Sequence, residues 1–341
     1  MTRVAVLTGG STPERDVALA GASQVVAALR SRGYRVTVVD TVGGQMSSED
    51  ERRRLVPVGK EPPTLEQLER LAERELGPEL VDLPALRSAD VVFLVLHGRQ
   101  GEGGEMQTLL ENAGLPYAGS DPVGSSLAMD KDAAKRLFRK AGVPTPDWRM
   151  WPVPKEAITA LGFPLIVKPS RAGSTVGLTV VERADQVDAA VAAARPYDDD
   201  VMLEAYASGR EFTVGILGDE ALAVGEIIPS HEIFDYECKY TPGMTQEIFP
   251  ADIAQSLADR LRSLALTAHH ALGLRDFSRV DFRLGADGTP HCLEANTLPG
   301  LTATSLLPQS AAVVGIPFDE LCHRICRFVL ERSPTRNKAG T

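Results

Sequence analysis

The first third of the chain alternates short apolar runs with amphipathic stretches, a pattern typical of strands separated by helices. Strands are predicted at residues 4–10, 35–40 and 90–98, and a helix is predicted at residues 18–33. This alternation predicts a parallel sheet with helices on its faces. Ligands of such sheets bind beyond the carboxyl ends of the strands. Here those ends are the polar, glycine-rich stretches 9–16 and 97–107.

Residues 41–88 interrupt this pattern with a highly charged segment. We expect an exposed excursion that contains one amphipathic helix, and the segment offers no recognisable chemistry. Farther along, residues 125–148 predict one helix, which Gly142 and the prolines beyond it should end.

The rest of the chain mixes strands and helices. Strands are predicted at residues 164–170 and 178–182, with helices near 184–194 and within 318–332. Apolar stretches follow the second strand at residues 200–217, which a Ser-Gly turn divides, and at residues 220–230. A longer helix is predicted by apolar residues at i+3/i+4 spacing, namely Ile253, Leu257, Leu261, Leu264, Ala268 and Leu272. Residues 231–249, which include Pro242 and Gly243, form a long loop before that helix.

Residues 278–296 contain two alternating runs around Asp287-Gly288, a strong signal for a two-residue hairpin turn. If these two residues form the turn, Asp281 lies opposite Glu294 and Arg279 lies opposite Asn296. Because side chains alternate along a strand, all four share one face. The other face should pack in the core, and it carries Val280, Phe282, Leu284, Leu293 and Ala295.

Opposed carboxylates such as Asp281 and Glu294 lie roughly 4.5–5.5 Å apart and repel each other unless a cation lies between them. The oxygen atoms of Asp281, Glu294 and Asn296 suit a hard ion such as Mg²⁺, which usually keeps water and substrate phosphates as further ligands. The alternative is a solvated hairpin face that binds no metal.

The chain has 341 residues, of which 43% are hydrophobic and 24% are charged. This composition is typical of a globular protein. This length allows two or three domains. A formal net charge of -10 and the lack of a Lys/Arg-rich stripe argue against a nucleic-acid partner. No apolar run has the length of a signal peptide or a membrane span. The four cysteines lack zinc-binding spacing, so we expect reduced thiols in a cytoplasmic protein without a membrane partner.

Several other residues are candidates for binding. Lys168 ends an apolar strand before the loop 171–177, whose glycines and hydroxyls could surround phosphate, although the loop could equally be a β-turn. It does not match the Walker A pattern. His97 follows a parallel strand and could bind a ligand, transfer a proton or make a structural hydrogen bond. Taken singly, Lys131, Glu204 and Glu211 read as surface charges.

Together these pieces resemble the ATP-grasp superfamily and, within it, the D-alanine–D-alanine ligase family. The resemblance covers nearly the whole chain except 41–88 and the tail, in seven blocks: VAVLTGGSTPERDVAL, LHGRQGEGGEMQ, AMDKDAAK, VKPSRAGSTVG, LEAYASGREFTV, FDYECKY and SRVDFRLGADGTPHCLEANTLPGLTATSLLP. It implies an α/β fold in which an N-terminal parallel-sheet (Rossmann-like) domain precedes a two-part ATP-grasp fold. The implied parts are a substrate-binding domain at 1–120, a central subdomain at 121–205 and a C-terminal subdomain at 206–341.

The resemblance also implies roles for individual residues. The implied ATP-binding residues are Lys131, Lys168, Ser174, Thr175, Glu204, Ala207, Glu211 and Lys239. Two Mg²⁺ ions, for which Mn²⁺ can substitute, are implied at Asp281, Glu294 and Asn296. Glu14 and His97 would receive the first D-alanine, and Ser305 and Leu306 the second. Glu14, Ser174 and Tyr240 would form a hydrogen-bonded triad, while Arg279 and the Gly300 amide would stabilise an oxyanion.

The implied reaction joins two D-alanines for peptidoglycan synthesis. ATP converts the first carboxylate to an acyl phosphate, and the second amine attacks that intermediate. An acyl phosphate hydrolyses in water, so the site must close, and residues 231–249 are the expected lid. The chain departs from the family pattern at Gly103, Ala172 and Ala205, and residues 17–22, VALAGA, lack the serine that is usual there. The Lys239-Tyr240 pair is similar to amine-accepting ligases rather than ligases that use hydroxy acids, and relatives are often homodimers.

Overall fold

The computed structural model describes residues 1–58, 63–173, 175–230 and 243–333. Its strands form three sheets that follow one another along the chain, with four, four and five strands. Each sheet carries helices, and three apolar clusters form the core. The division into domains at 1–120, 121–205 and 206–341 stays a prediction.

The first sheet has the strand order β3-β2-β1-β4 and confirms the predicted parallel arrangement. Its strands are β1 (Arg3–Thr8), β2 (Arg35–Asp40), β3 (Gly44–Gln45) and β4 (Val91–Val95), and helix α1 (Arg15–Ser31) connects β1 to β2. Strand β1 pairs in parallel with both β2 and β4, whereas β3 is a short antiparallel addition. The carboxyl ends of β1 and β4 therefore lie side by side.

The described parts of residues 41–88, namely 41–58 and 63–88, contain more secondary structure than the charge pattern suggested. They contain α2 (Ser48–Arg54), α3 (Leu65–Ala72), a 3-10 helix (Pro78–Asp82) and α4 (Pro84–Arg87). The side chains of Ser47 and Thr64 cap α2 and α3 by accepting hydrogen bonds from backbone amides. Leu80 and Leu86 are fully buried in the core of the first sheet. The expectation of an exposed segment with a single helix was therefore wrong.

Four helices lead from the first sheet to the second: α5 (Arg99–Glu102), α6 (Glu105–Asn112), α7 (Pro122–Met129) and α8 (Lys131–Lys140). The single helix predicted at 125–148 was wrong, because the chain leaves helical geometry at Asp130, with φ −82° and ψ 100°. The Asp130 carboxylate accepts a hydrogen bond from the Ala133 amide at 3.1 Å and so begins α8. This break places Lys131 at the first position of the new helix.

The second sheet has the order β5-β8-β6-β7, and all its neighbouring strands are antiparallel. Its elements are β5 (Trp148–Met150), α9 (Lys155–Leu161), β6 (Leu165–Pro169), β7 (Thr179–Val181), a 3-10 helix (Ala184–Gln186), α10 (Val187–Ala194) and β8 (Val201–Ala205). Apolar residues of these helices and strands form a separate small core.

The third sheet has the order β11-β10-β9-β12-β13. Its elements are β9 (Glu211–Leu217), β10 (Glu220–Pro229), β11 (Thr245–Ile248), α12 (Gln255–Ala271), β12 (Phe277–Leu284), β13 (Pro290–Asn296), α13 (Leu306–Val313) and α14 (Phe318–Arg332). The predicted apolar face of α12 is confirmed, because Leu261, Ala268 and Leu272 are buried against this sheet.

Strands β12 and β13 form the predicted hairpin, with Arg279 paired to Asn296 and Asp281 to Glu294. The predicted two-residue turn is wrong, however. Gly285 donates its amide to the Thr289 carbonyl at 2.8 Å, so the loop holds three residues, 286–288. Gly288 has φ +77°, a left-handed conformation that glycine adopts without a Cβ penalty and that such three-residue loops need.

A β-bulge after Asp281 compensates for the longer turn. Phe282 pairs with Cys292 rather than with Leu293, so the register changes by one residue along β13. Cys292 is therefore fully buried in the core, whereas Leu293 lies on the opposite face of the sheet. The prediction that Leu293 packs in the core was wrong for this reason.

The last helix joins the third sheet to the first. Helix α14 packs on α1 and buries Leu321, Ile325 and Val329 in the core of the first sheet. Among the described cysteines, Cys292, Cys322 and Cys326 are buried free thiols, as predicted. No helix in the described ranges combines the length and apolarity needed to cross a membrane.

Candidate active site

A cleft opens between the second and third sheets, and we call it the inter-sheet cleft. Including its open mouth it measures about 900 Å³. Strands β6 and β8 form one wall, and β12 and β13 form the other. The cleft brings together residues that sequence analysis predicted for nucleotide, metal and oxyanion contacts: Lys131, Lys168, Thr175, Glu204, Ala207, Glu211, Arg279, Asp281 and Glu294.

A buried carboxylate lies between two lysines on the first wall of this cleft. Glu204 contacts Lys168 Nζ at 2.7 Å and Lys135 Nζ at 2.6 Å. Burial alone would raise the pKa of Glu204, but the two ammonium groups outweigh it and lower that pKa to about 2. Glu204 is therefore ionised, and it holds Lys168 at the surface of the cleft.

Sequence analysis missed Lys135. Its side chain is fully buried, it donates a hydrogen bond to Thr145 Oγ1 at 2.6 Å, and its ammonium lies over the Trp148 ring at 5.1 Å. Burial lowers the pKa of Lys135 to about 8, although Glu204 opposes this shift. The spacing of four residues between Lys131 and Lys135 puts them on one helix face, and this was the available signal.

Lys131 lies where three parts of the site meet. It begins α8, donates a hydrogen bond from Nζ to the Ala172 carbonyl at 2.8 Å, and lies 3.5 Å from Glu294 Oε2. Lys131 therefore connects the glycine-containing loop with the hairpin face that carries Asp281 and Glu294. In that loop, Thr175 has φ +59°, which is unusual for a β-branched residue.

The hairpin face is a dense polar network around Asp281. The Asp281 carboxylate accepts hydrogen bonds from Thr213 Oγ1 at 2.7 Å, Arg279 Nε at 2.9 Å and Asn296 Nδ2 at 3.0 Å. Burial disfavours the Arg279 charge, but Asp281 keeps the pKa of Arg279 above its usual value. Glu294 lies opposite Asp281 in the register, so this face presents two carboxylates and one amide.

These three side chains do not form a closed protein-only metal site. Within the described ranges, no group of three or more His, Cys, Asp or Glu side chains is arranged to hold a metal ion. Magnesium, however, is commonly bound by one or two carboxylates together with substrate phosphates. Asp281, Glu294 and Asn296 have the right donor chemistry for that incomplete type of site.

The far end of the cleft carries Ala207 and Glu211. Both line the cleft, and Glu211 Oε2 lies 3.8 Å from Arg283 Nε. The Arg283 guanidinium in turn lies over the Tyr206 ring at 5.0 Å. Leu293, which the bulge turns away from the core, adds an apolar surface next to these groups. This end therefore suits a flat, partly apolar ligand.

A second cleft opens between the first and third sheets. It contains the residues that the resemblance assigned to the two amino acids and to the oxyanion: Glu14, His97, Arg279, Gly300, Ser305 and Leu306. Asn296 also lines it. Arg279 and Gly173 line both clefts, so the two spaces meet at Arg279. A group transferred between a ligand in one cleft and a ligand in the other would pass this guanidinium.

Glu14 is held by a buried ion pair next to it in the chain. Arg15 contacts Asp40 Oδ2 at 2.5 Å, and both side chains are buried. Arg15 also donates to the Gly10 carbonyl at 2.8 Å, and the Gly10 amide donates to Thr41 Oγ1 at 2.9 Å. The loop after β1, which ends in Glu14 at the start of α1, is thereby fixed to the end of β2.

The loop after β4 supplies His97 and a second residue that sequence analysis missed. Glu102 lines the same cleft and accepts hydrogen bonds from the Gly98 amide at 3.1 Å and the Leu298 amide at 3.3 Å. Burial, with the nearby charge of Glu14, raises the pKa of Glu102 to about 8. The motif HGRQGE contained this carboxylate, but nothing in its spacing showed that it would connect two loops.

Gly300 and Ser305 frame the start of α13. The Ser305 hydroxyl accepts a hydrogen bond from the Thr302 amide at 3.1 Å rather than capping the helix. A Cβ atom at position 300 would lie 2.8 Å from Ser305 Oγ, so a side chain there would require this hydroxyl to move. Leu306 begins α13, and its amide is one of the first-turn amides that have no partner within the helix.

Three predicted site residues, Ser174, Lys239 and Tyr240, lie outside the described residues, as does most of the predicted lid. The part of that lid from Gly243 onward is described, and it contains strand β11 (Thr245–Ile248), so the prediction of a loop was wrong for those residues.

Comparison with known proteins gives consistent matches along the chain. Two family models match, described as D-ala D-ala ligase N-terminus over residues 3–120 and D-ala D-ala ligase C-terminus over residues 137–327. A D-alanine–D-alanine ligase from Anaeromyxobacter sp. (strain Fw109-5) is 39% identical over 328 residues, covering 95% of each chain. One from Synechococcus sp. (strain JA-3-3Ab) is 36% identical and covers 98% of this chain and 96% of its own.

Solved structures agree with these matches. The D-alanine–D-alanine ligase from Bacillus anthracis complexed with ATP is 29% identical, with a TM-score of 0.76 and 97% coverage of each chain. The VanG D-Ala:D-Ser ligase from Enterococcus faecalis, also 29% identical, has a TM-score of 0.80 and covers 96% of this chain and 99% of its own. The predicted ATP-grasp fold behind a parallel-sheet domain is confirmed. The chain belongs to the D-alanine–D-alanine ligase family.

Proposed function

We propose that this protein uses ATP to join two D-alanines into D-alanyl-D-alanine, through an acyl phosphate, for peptidoglycan precursor synthesis. One observation carries the proposal beyond family membership: the inter-sheet cleft and the second cleft meet at Arg279. A phosphoryl donor in the first and a carboxylate acceptor in the second would therefore react beside a fixed guanidinium. Such an arrangement suits a reaction that builds negative charge at the junction.

The inter-sheet cleft is the proposed ATP site. Lys131 and Lys168 would bind phosphate oxygens as point charges, and the loop with Ser174 and Thr175 would cover them. Glu204 and the backbone near Ala207 would contact the adenine, and Glu211 the ribose. Lys239, outside the described residues, completes the proposed set of ATP contacts.

A divalent cation, most simply Mg²⁺ as two ions with Mn²⁺ able to substitute, is proposed at Asp281, Glu294 and Asn296. When bound, such a cation offsets the charge of the phosphate oxygens. The donor set supports a hard cation, because it offers only oxygen ligands and leaves positions for phosphate and water. The Asn296 amide nitrogen contacts Asp281, which leaves its oxygen available for this role.

The second cleft is proposed to bind both amino acids. Glu14 and His97 would hold the first D-alanine, whose carboxylate oxygen takes the γ-phosphoryl group as the bond to ADP breaks. Ser305 and Leu306 would bind the carboxylate of the second D-alanine. Its amine attacks the acyl carbon, loses a proton and displaces phosphate. Arg279 and the Gly300 amide would stabilise the tetrahedral oxyanion, and Glu14, Ser174 and Tyr240 would close the lid.

A second candidate is a ligase that joins D-alanine to another D-amino or D-hydroxy acid. The similarity to the VanG D-Ala:D-Ser ligase supports this candidate, because a ligase with the same fold is named for D-serine rather than D-alanine as the second substrate. We further propose a cytoplasmic homodimer that needs no nucleic-acid or membrane partner. The net charge of -10 supports the absence of nucleic acid.

The proposal is tested by measuring ATP-dependent phosphate release with D-alanine, L-alanine, D-serine and D-lactate, and by weighing the products. We expect D-alanine alone to drive release and to give the mass of the dipeptide. The variant Arg279→Lys should lose most of the activity. Arg262→Lys, on the exposed side of α12, is the matched control and should keep it. If the enzyme releases no phosphate from ATP when D-alanine is supplied, the proposal is contradicted.

A further inference from the structure

The second cleft contains one more carboxylate, Glu247 on β11, which has no role among those proposed above. It lines the same cleft as Arg279, Gly300 and Ser305. Strand β11 is the edge strand next to β10, where Glu247 pairs with Ile227. The side chain is partly buried where it lines this cleft.

Gln309 fixes this carboxylate beside the start of α13. Its Nε2 atom donates hydrogen bonds to Glu247 Oε2 and to the Thr304 carbonyl, the latter at 2.7 Å. The backbone amide of Gln309 donates to the Ser305 carbonyl at 3.0 Å. One side chain on the first turns of α13 therefore connects Glu247 with the residues that lead into the helix.

The start of α13 has the opposite electrostatic character. Because the Ser305 hydroxyl turns towards Thr302, no side chain caps the first-turn amides of Leu306 and Leu307. Such amides and the helix dipole attract an anion. Arg279 is also close enough to Glu247 to stabilise its charge, which partly offsets the rise in the pKa of Glu247 that burial causes.

Negative Glu247 and the electropositive start of α13 match the two charges of an amino acid. We propose that Glu247 binds the ammonium group of the second amino acid, while the start of α13 binds its carboxylate, and that Glu247 thereby selects an amine over a hydroxyl acceptor. This inference rests on the proposed function. A D-hydroxy acid offers the same carboxylate but no positive charge, so Glu247 would gain nothing from it and would repel its anion.

The test uses competition for one acyl phosphate. The full-length enzyme is supplied with ATP, D-alanine and an excess of D-lactate, and mass spectrometry gives the ratio of dipeptide to depsipeptide. Because both products arise from the same intermediate, this ratio is insensitive to changes in ATP or first-site binding. Hydroxylamine trapping of the acyl phosphate reports the first half-reaction separately.

We expect Glu247→Gln, which keeps the shape but removes the charge, to lower the ratio at least about tenfold, equivalent to about 1.4 kcal/mol. Hydroxamate formation should stay unchanged. Glu247→Asp, which keeps the charge but withdraws it by one methylene, should give an intermediate ratio and provides a second test if Glu247→Gln does not fold. Glu220→Gln, an exposed position at the start of β10, is the control and should leave the ratio unchanged.

The results that would overturn the inference can be distinguished from a failure of the proposed function. If the unmodified enzyme forms dipeptide and the ratio is the same in Glu247→Gln, the carboxylate plays no part in choosing the acceptor. An equal loss of both products in that variant would assign Glu247 a structural role in holding Gln309. If the unmodified enzyme forms no dipeptide from D-alanine at all, the proposed function itself fails.

Discussion

Replacing Glu204 by glutamine tests how the inter-sheet cleft is held together. In the wild type one buried carboxylate faces two ammonium groups, at 2.6 Å for Lys135 and 2.7 Å for Lys168. The amide of glutamine has nearly the same shape but no charge. The substitution would therefore leave two buried like charges without the anion that separates them, which is the costly way to break a buried ion pair.

The magnitude follows from the pKa of the carboxyl group. It falls from 4.5 to about 2 on folding, and at about 1.36 kcal/mol per pH unit this corresponds to about 3 kcal/mol of stability. Because the folded pKa is the lower one, this stabilisation is complete above pH 4.5 and is lost as the pH falls from 4.5 to about 2. The full effect is therefore expected at neutral pH.

Thermal unfolding followed by fluorescence at pH 7.5 is the measurement. A loss of about 3 kcal/mol should lower the Tm by about 6 °C, taking about 2 °C per kcal/mol for a large chain. Adding Lys135→Met to Glu204→Gln should restore part of the loss, because it removes one of the two unbalanced charges. A Tm within 1 °C of wild type for Glu204→Gln would refute the reasoning, as would a double variant less stable than Glu204→Gln alone.

Three further predictions concern the second cleft. Arg279→Lys should lower kcat about 10²–10³-fold with little change in the KM for ATP, because one oxyanion donor is displaced; steady-state kinetics showing an unchanged kcat would remove Arg279 from that role. Asp40→Ala should destabilise the protein by about 3–5 kcal/mol, because it leaves Arg15 buried without its partner; urea unfolding measures this, and a change below 1 kcal/mol would contradict it. Glu102→Gln should raise the Tm at pH 8. The folded pKa of Glu102 is raised from 4.5 to about 8, so the wild type loses stability as the pH rises from 4.5 to about 8, whereas the uncharged glutamine does not. Tm values that change in parallel for variant and wild type between pH 5 and pH 8 would contradict this.

The sequence predicted most of the hairpin face, because strand periodicity leaves little freedom. The assumed turn at Asp287-Gly288 paired Arg279 with Asn296 and Asp281 with Glu294, alternation put all four on one face, and the structure has the same pairs. The turn was predicted less well, since Asp287-Gly288 fits both a two-residue and a three-residue loop. The β-bulge after Asp281 offsets the extra turn residue. The predicted polar pairs are therefore present although the turn was predicted incorrectly, and Leu293 lies on the face opposite to the predicted one.

The buried charges could not be predicted from local pattern. Lys135 and Glu102 lie in polar stretches that would suit a solvated surface. Their burial depends on contacts with β8 and with the Leu298 amide, from segments distant in the chain. The break at Asp130 was missed for a related reason: the apolar pattern continues through it, and only the capping bond to the Ala133 amide ends one helix and begins the next.

The packing of α14 on α1 has a consequence for synthesis on the ribosome. Tyr34 and His323 are in hydrogen-bond contact at 2.7 Å although 289 positions separate them in sequence. When the residues of the first sheet have left the ribosome, α14 has not yet been synthesised. The apolar surface that α14 covers in the folded protein therefore stays exposed until translation has almost finished. Long-range closures of this kind slow folding and leave partly made chains prone to aggregate. We therefore expect chaperones to bind mainly to the N-terminal part of the chain while it is being synthesised.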